Sequence, residues 1–117
     1  MIQFIPDFNS ECIRAEYGAD ALAYRLSDSD ALCVFAVSGA RVRILSVKGS
    51  TEPVLYEGLV RAALGAAANR GAYTAEALPG ADTSGALSRL GFVPEGGLLV
   101  ADIPDVLMCS CHREGAQ

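Results

Sequence analysis

Positive charge is scarce in this chain: one lysine, Lys48, and scattered arginines among 117 residues, for a net charge of −5. Nucleic acids and anionic membranes are bound by clustered Lys and Arg that displace counterions, so the composition argues against both as partners. No stretch approaches the ~18 apolar residues of a membrane span. The opening Met1-Ile2-Gln3-Phe4-Ile5-Pro6-Asp7 has neither the basic segment nor the apolar run of an export signal. A soluble, cytoplasmic protein is expected. Its four cysteines, Cys12, Cys33, Cys109 and Cys111, are then expected to be thiols, with Cys12 and Cys33 as small buried hydrophobes. Internal repeats, linkers and low-complexity tracts are missing too, which leaves one domain over 1–117, large enough for a core of its own.

Histidine is nearly absent. His112 stands alone, in Cys109-Ser110-Cys111-His112, where three potential ligands fall in four residues. A structural zinc wants four, so Cys12, Cys33 or Glu114 would have to complete the shell. No metal and no tightly bound cofactor are expected, and chelation should leave the melting temperature unchanged. Adjacent Cys111 and His112 rarely present their side chains to each other, which disfavours a nucleophile pair.

Apolar residues, by contrast, are abundant. With glycine counted and tyrosine left out they make up roughly 58%, against a typical 45–50%. Much of the excess is alanine. The remainder, with the open sheet edge expected of an antiparallel meander, points to a homodimer.

The first half reads as that meander. Cys12 to Tyr17 and Ala21 to Leu26 are short apolar–polar runs about Gly18-Ala19-Asp20, and Ser27-Asp28-Ser29-Asp30 is a polar turn. Ala31 to Val37 is apolar on both faces, as in a central strand. Arg41 to Val47 follows, with Val42 and Ile44 on one face and Leu45 and Val47 on the other.

Ser50-Thr51-Glu52-Pro53 supplies a hydroxyl cap, an acid and a first-turn proline for a helix from Pro53 to Arg70. Leu55, Leu59, Ala62, Ala63 and Ala66 recur at helical spacing, Glu57 and Arg61 pair four apart, and Gly71 supplies the left-handed terminator. Ala72 to Leu78 is the next strand, reached by a right-handed crossover and so parallel to the one before. Asp82 or Thr83 caps a short helix ending at Gly91. Leu98 to Ile103 is a further strand, and Pro104-Asp105 starts a short final element.

This order of a strand (Arg41 to Val47), a long helix containing Gly58-Leu59-Val60-Arg61-Ala62, a strand, and a helix ending in Arg89-Leu90-Gly91-Phe92 resembles the GNAT acyltransferase superfamily. The resemblance covers roughly Leu32 to Ile103. It implies an α/β (α+β) mixed sheet, antiparallel at first, with the long helix on one face and the shorter on the other. It further implies transfer of an acyl group from acyl-CoA to an amine. Three departures stand out. Thr51 to Tyr56, which align with the family's pyrophosphate turn, contain no glycine; Glu52 brings negative charge, Pro53 lacks a donor, and Gly49 lies one turn earlier. Leu87 stands where the family carries a tyrosine acid. The chain before Cys12 is too short for the two helices expected ahead of the meander.

Within that resemblance, backbone donors at Val47, Lys48 and Gly49 would polarise the thioester carbonyl. Glu76 is a candidate base, although a solvent-facing strand residue is the simpler reading of a glutamate there. Tyr56 and Tyr73 are candidate proton donors. The expectations are an N-acyltransferase-like protein using acetyl-CoA as a weak cosubstrate and a small-molecule amine as acceptor. Two alternatives stay open: a non-catalytic domain that keeps the fold for small-ligand binding or self-association, and a metal- or redox-sensing domain using the terminal thiols.

Overall fold

The computed structural model describes residues 3–27, 29–49, 51–78, 80–81 and 85–107. In chain order the elements are β1 (Phe4–Asp7), α1 (Glu11–Tyr17), β2 (Leu22–Leu26), β3 (Leu32–Ser38) and β4 (Arg41–Lys48). Then come α2 (Pro53–Asn69), β5 (Thr74–Ala77), α3 (Ala86–Arg89), β6 (Val93–Glu95) and β7 (Leu98–Asp102). Residues 103–107 are helical. The seven strands form one mixed sheet in the order β1-β2-β3-β4-β5-β7-β6. Only β4 and β5 are parallel, joined by the α2 crossover; every other neighbouring pair is antiparallel.

One face of this sheet carries the main core. Leu59, Val60, Ala63, Leu64 and Ala67 form the buried side of α2 and pack over Phe35, Val42, Ile44, Val47, Ala75 and Ala77. Fully burying a leucine or valine there contributes ~1.5–3 kcal/mol. The alanines of α2 let it lie close to the sheet. Gly58 has its own reason: a Cβ at that position would strike the ring of Phe4 from β1.

Leu87, Leu90 and Phe92 join the same core, and so do Ile103 and Val106. The short helix α3 therefore lies beside α2, not across the sheet from it as the sequence pattern suggested. The opposite face receives α1, whose Ile13 and Tyr17 pack with Ala21, Ala23 and Val34.

Three further details differ from the sequence reading. Cys12 to Tyr17 is helical rather than extended, because the Ser10 side chain caps it by accepting from the Ile13 N–H at 3.3 Å. Cys12 is consequently exposed, whereas Cys33 is buried. The first strand is instead Phe4–Asp7, so one two-turn helix separates β1 from β2. Finally, Val34 pairs with Ser46 but Phe35 with Ile44, which leaves Leu45 as a bulge. That extra residue turns Val47 onto the face of Val42 and Ile44. Simple alternation had placed it on the other.

The expected hydroxyl cap of α2 is not what begins that helix. Glu52 occupies the N-cap position without a side-chain cap bond. Asp82 and Thr83 lie outside the described residues, as do Cys109, Cys111, His112 and Glu114; the N-cap position of α3 is Gly85.

Both α2 and α3 close with the same pair of hydrogen bonds. After α2 the N–H of Gly71 reaches Ala68 and that of Ala72 reaches Ala67, each at 3.0 Å. After α3 the N–H of Gly91 reaches Ser88 at 3.1 Å and that of Phe92 reaches Leu87 at 3.0 Å. This is the Schellman closure, which needs positive φ at the residue after the cap. Gly71 and Gly91 supply φ of 98° and 104°. Nothing crowds a Cβ at either, so the cost of a side chain there is conformational. Gly71→Val and Gly91→Val should each destabilise the protein by about 1–2 kcal/mol in chemical denaturation; unchanged midpoints for both would contradict these closures.

Candidate functional site

The parallel pair is short. Its register runs from Arg41↔Thr74 to Ile44↔Ala77, after which β4 continues to Lys48 without β5 beside it. A gap therefore opens at the carboxyl ends of the two parallel strands, the usual place for a site in sheets of this kind. The Val47 N–H points into this gap and donates to the Ala81 carbonyl at 2.7 Å. Gly49 ends the strand with φ 99°, and a Cβ there would collide with the backbone of Ala31. Its carbonyl accepts the Tyr56 hydroxyl, which ties the first turns of α2 to the end of β4.

Lys48 turns away from the gap. Its ammonium lies 3.7 Å from a Glu16 carboxylate oxygen and 5.3 Å from the centre of the Tyr17 ring, both on α1. The hydrogen bond to Tyr17 is the main influence that raises its pKa, with smaller contributions from Glu16. Lys48 thus acts as a fastener for α1.

The start of α2 offers little to a diphosphate. Pro53 has no N–H, and the N–H groups of Leu55 and Tyr56 both go to the Glu52 carbonyl, at 2.9 and 3.2 Å. Convergent free donors are what an anion needs at a helix start. The Glu52 side chain adds charge of the wrong sign.

Glu76 is not solvent-facing. It is 5% exposed, the one buried charged residue among those described. The Arg43 Nε donates to its Oε2 at 2.7 Å, the Arg43 Nη2 lies on the same oxygen, and the Arg41 Nη1 reaches Oε1 at 3.4 Å. The register explains this: Arg43 stands opposite Glu76 on the neighbouring strand, pointing to the same face. That face is the one opposite α2, so Glu76 does not face the main core. A strand-level reading of charge missed the pairing because the partners lie 33 residues apart; the parallel alignment of the two strands was the available signal.

Tyr73 is 58% exposed, and its N–H bonds to the Ala40 carbonyl at 2.6 Å, at the far end of the sheet. Leu87 is 1% exposed and belongs to the core, so no hydroxyl stands at that point. Of the candidate residues, then, Val47, Gly49 and Tyr56 come together at the gap. Glu76 and Tyr73 stand apart, and Lys48 contributes only its backbone. Among the described residues no group of His, Cys, Asp and Glu is arranged to hold a metal, and no helix is long and apolar enough to cross a membrane.

No family model matches this chain, and no curated protein matches it. Solved structures do share its shape. The AtaT–AtaR complex bound to DNA aligns over 93% of this chain and 98% of that one, with 12% identity and a TM-score of 0.64. The KacTA–DNA complex aligns over 96% and 99%, with 14% identity and a TM-score of 0.66. A mutant AtaT toxin bound to the C-terminus of the antitoxin AtaR aligns over 93% and 96%, with 11% identity and a TM-score of 0.62.

One expectation is overturned by these likenesses. The exclusion of nucleic acid as a partner does not stand, because proteins of this shape occur in DNA-bound assemblies. Net charge speaks only of phosphate contacts made by the chain itself, whereas in an assembly another chain can supply them. At such low identities the likeness concerns the fold alone, and the fold is of GNAT type: a mixed α+β sheet with the parallel pair at its centre.

Proposed function

We propose that the chain is an N-acyltransferase-like protein that uses acetyl-CoA as a weak cosubstrate and a small-molecule amine as acceptor. The observation that carries this reading is the Val47 N–H, aimed into the gap between β4 and β5 and already holding a carbonyl oxygen at 2.7 Å. The Ala81 carbonyl stands in for the thioester carbonyl of a substrate. Once the Ala81 carbonyl is displaced, this donor is already aimed at the place where an oxyanion forms. The two ends of acyl-CoA fit unequally: the thioester has a donor, whereas the diphosphate meets Pro53 and Glu52.

In the reaction, the amine nitrogen attacks the thioester carbon and the oxygen gains negative charge beside the Val47 N–H. The C–S bond then breaks, the nitrogen releases its proton to water, and the thiolate takes one. Tyr56 is the candidate to supply that proton, since its hydroxyl lies at the gap, where it donates to the Gly49 carbonyl, two residues beyond Val47. Glu76 is unsuited as base, because two arginines engage both of its oxygens.

The non-catalytic alternative has its own support in Leu87, which cannot protonate a thiolate, and in the occupation of Val47 by Ala81. Release of free thiol from acetyl-CoA in the presence of a panel of small amines separates the two readings. Amine-dependent release, reduced at least tenfold in Tyr56→Phe, supports the transferase; no release at millimolar acetyl-CoA supports the alternative.

Calorimetric titration with acetyl-CoA should give a dissociation constant above ~100 μM, about −5.5 kcal/mol. Micromolar binding would mean that the diphosphate is held elsewhere than at the start of α2. Glu52→Gly should tighten binding by removing the opposing charge.

The role assigned to Glu76 is structural and can be checked separately. Arg43→Ala leaves a buried carboxylate with only the longer Arg41 contact and should cost about 1–3 kcal/mol of stability. Arg43→Met combined with Glu76→Met should recover much of that loss, since apolar replacements remove the need for the pair. A stable Arg43→Ala variant would show that the pair does not hold the strands.

A further inference from the structure

Beyond the acyl-transfer reading, the sheet has a second feature that needs explaining. Among the described residues, no helix packs on the face of β5, β7 and β6 opposite α2. The registers fix what that face presents. One row across the strands is Ser38, Arg41, Thr74 and Asp102; the next is Ala36, Arg43, Glu76, Val100 and Val93. Two clefts, of about 1050 and 620 Å³, share Arg41, Thr74 and Glu76; the smaller is lined from this face, and the larger runs round to Leu90, Gly91 and Val106 on the α2 side. Val93 is 53% exposed, an apolar side chain left in water.

We infer that this face is an isologous interface between two copies of the chain, related by a two-fold axis that runs along β5. The argument is charge complementarity. Arginines lie on β4, to one side of β5, and Asp102 lies on β7, to the other. A two-fold axis along the strands exchanges the two sides, so it sets Arg41 of one copy over Asp102 of the second, and does so twice. An axis across the strands through these rows would instead lay arginine on arginine. The axis along β5 sets only Glu76 on Glu76, and each of those carboxylates is already engaged by Arg43 and Arg41 of its own copy. The rows thus select one of the two symmetric packings.

Side-chain size agrees with the same axis. It carries β6 over β3, and Val93 then meets Ala36, a residue small enough to receive it. It also carries Val100 over the aliphatic stem of Arg43, whose guanidinium is held aside by Glu76. Face-to-face sheets pack ~10 Å apart, a distance that such side chains span.

Strand addition at the sheet edges is the weaker route to a dimer. The two edge strands are β1 and β6, and each carries a proline, Pro6 and Pro94, that removes a ladder donor. The open edge expected of the meander is therefore blunted, and the open face takes over the role of interface.

Light scattering at tens of micromolar tests this. The wild-type chain should show the mass of two chains. Asp102→Arg, at an exposed position, should shift it to one chain with the circular dichroism spectrum unchanged, and Arg41→Asp should do the same with some loss of stability, since Arg41 also reaches Glu76. The combined Arg41→Asp/Asp102→Arg variant should return to two. Val93→Asp, which does not touch the ion pair, should also give one chain. A monomeric wild type would overturn the inference and leave the face to some other partner. A dimer unaffected by Asp102→Arg, or a combined variant that folds and stays monomeric, would overturn it as well.

Discussion

The single parallel contact in the sheet organises everything else. Parallel strands need a crossover, and α2 supplies it, so the chain must spend 17 residues of helix to place β5 beside β4. That helix brings Leu59, Val60, Ala63, Leu64 and Ala67 into the core. Once paired, the two strands stay together for only four residue pairs before parting. The gap that follows lies where backbone donors are no longer consumed by the ladder. The Leu45 bulge lies just past the last pair and turns Val47 towards α2.

Around this gap, the chain uses contacts of three kinds. Tyr56 pins α2 to the strand end through Gly49, and Gly49 itself must be glycine because Ala31 passes so close. Glu57 bridges α2 to α3 through Arg89 at 2.7 Å and to Arg61 at 3.9 Å. On the opposite face, Arg41, Arg43 and Glu76 join β4 to β5 where the strands still pair. The strands are thus fastened on one side of their divergence and left open on the other. The same fastening gives the uncovered face its charged rows, so the proposed acyl site and the proposed dimer surface share one structural origin.

Much of the architecture is legible in the residue order. Pro53 and Gly71 bracket α2, Gly91 closes α3, and the apolar run of β3 marks a central strand, because each of these signals acts locally. The errors come where a local signal competes with another. Cys12 to Tyr17 reads as alternating, but a serine cap two residues earlier decides in favour of a helix. Val47 falls on the wrong face because a bulge inserts one residue, and no residue in Leu45-Ser46 announces it. Glu76 reads as exposed because its two arginines are found only by aligning β4 with β5. The candidate site was legible in part: Val47 and Gly49 follow from the fold resemblance, while the engagement of Val47 by Ala81 depends on the path of the chain after β5.

The central claim is that the Val47 N–H is the donor for an acyl carbonyl. Its amide resonance in ¹⁵N-labelled protein, followed during titration with acetyl-CoA to millimolar concentration, addresses that claim most directly. Acetyl-CoA should displace the Ala81 carbonyl, so the Val47 and Gly49 signals should shift together and saturate, while Tyr73, at the far end of the sheet, stays in place. A Val47 signal that stays fixed while acetyl-CoA saturates some other set of amides would contradict the assignment of this gap as the acyl site.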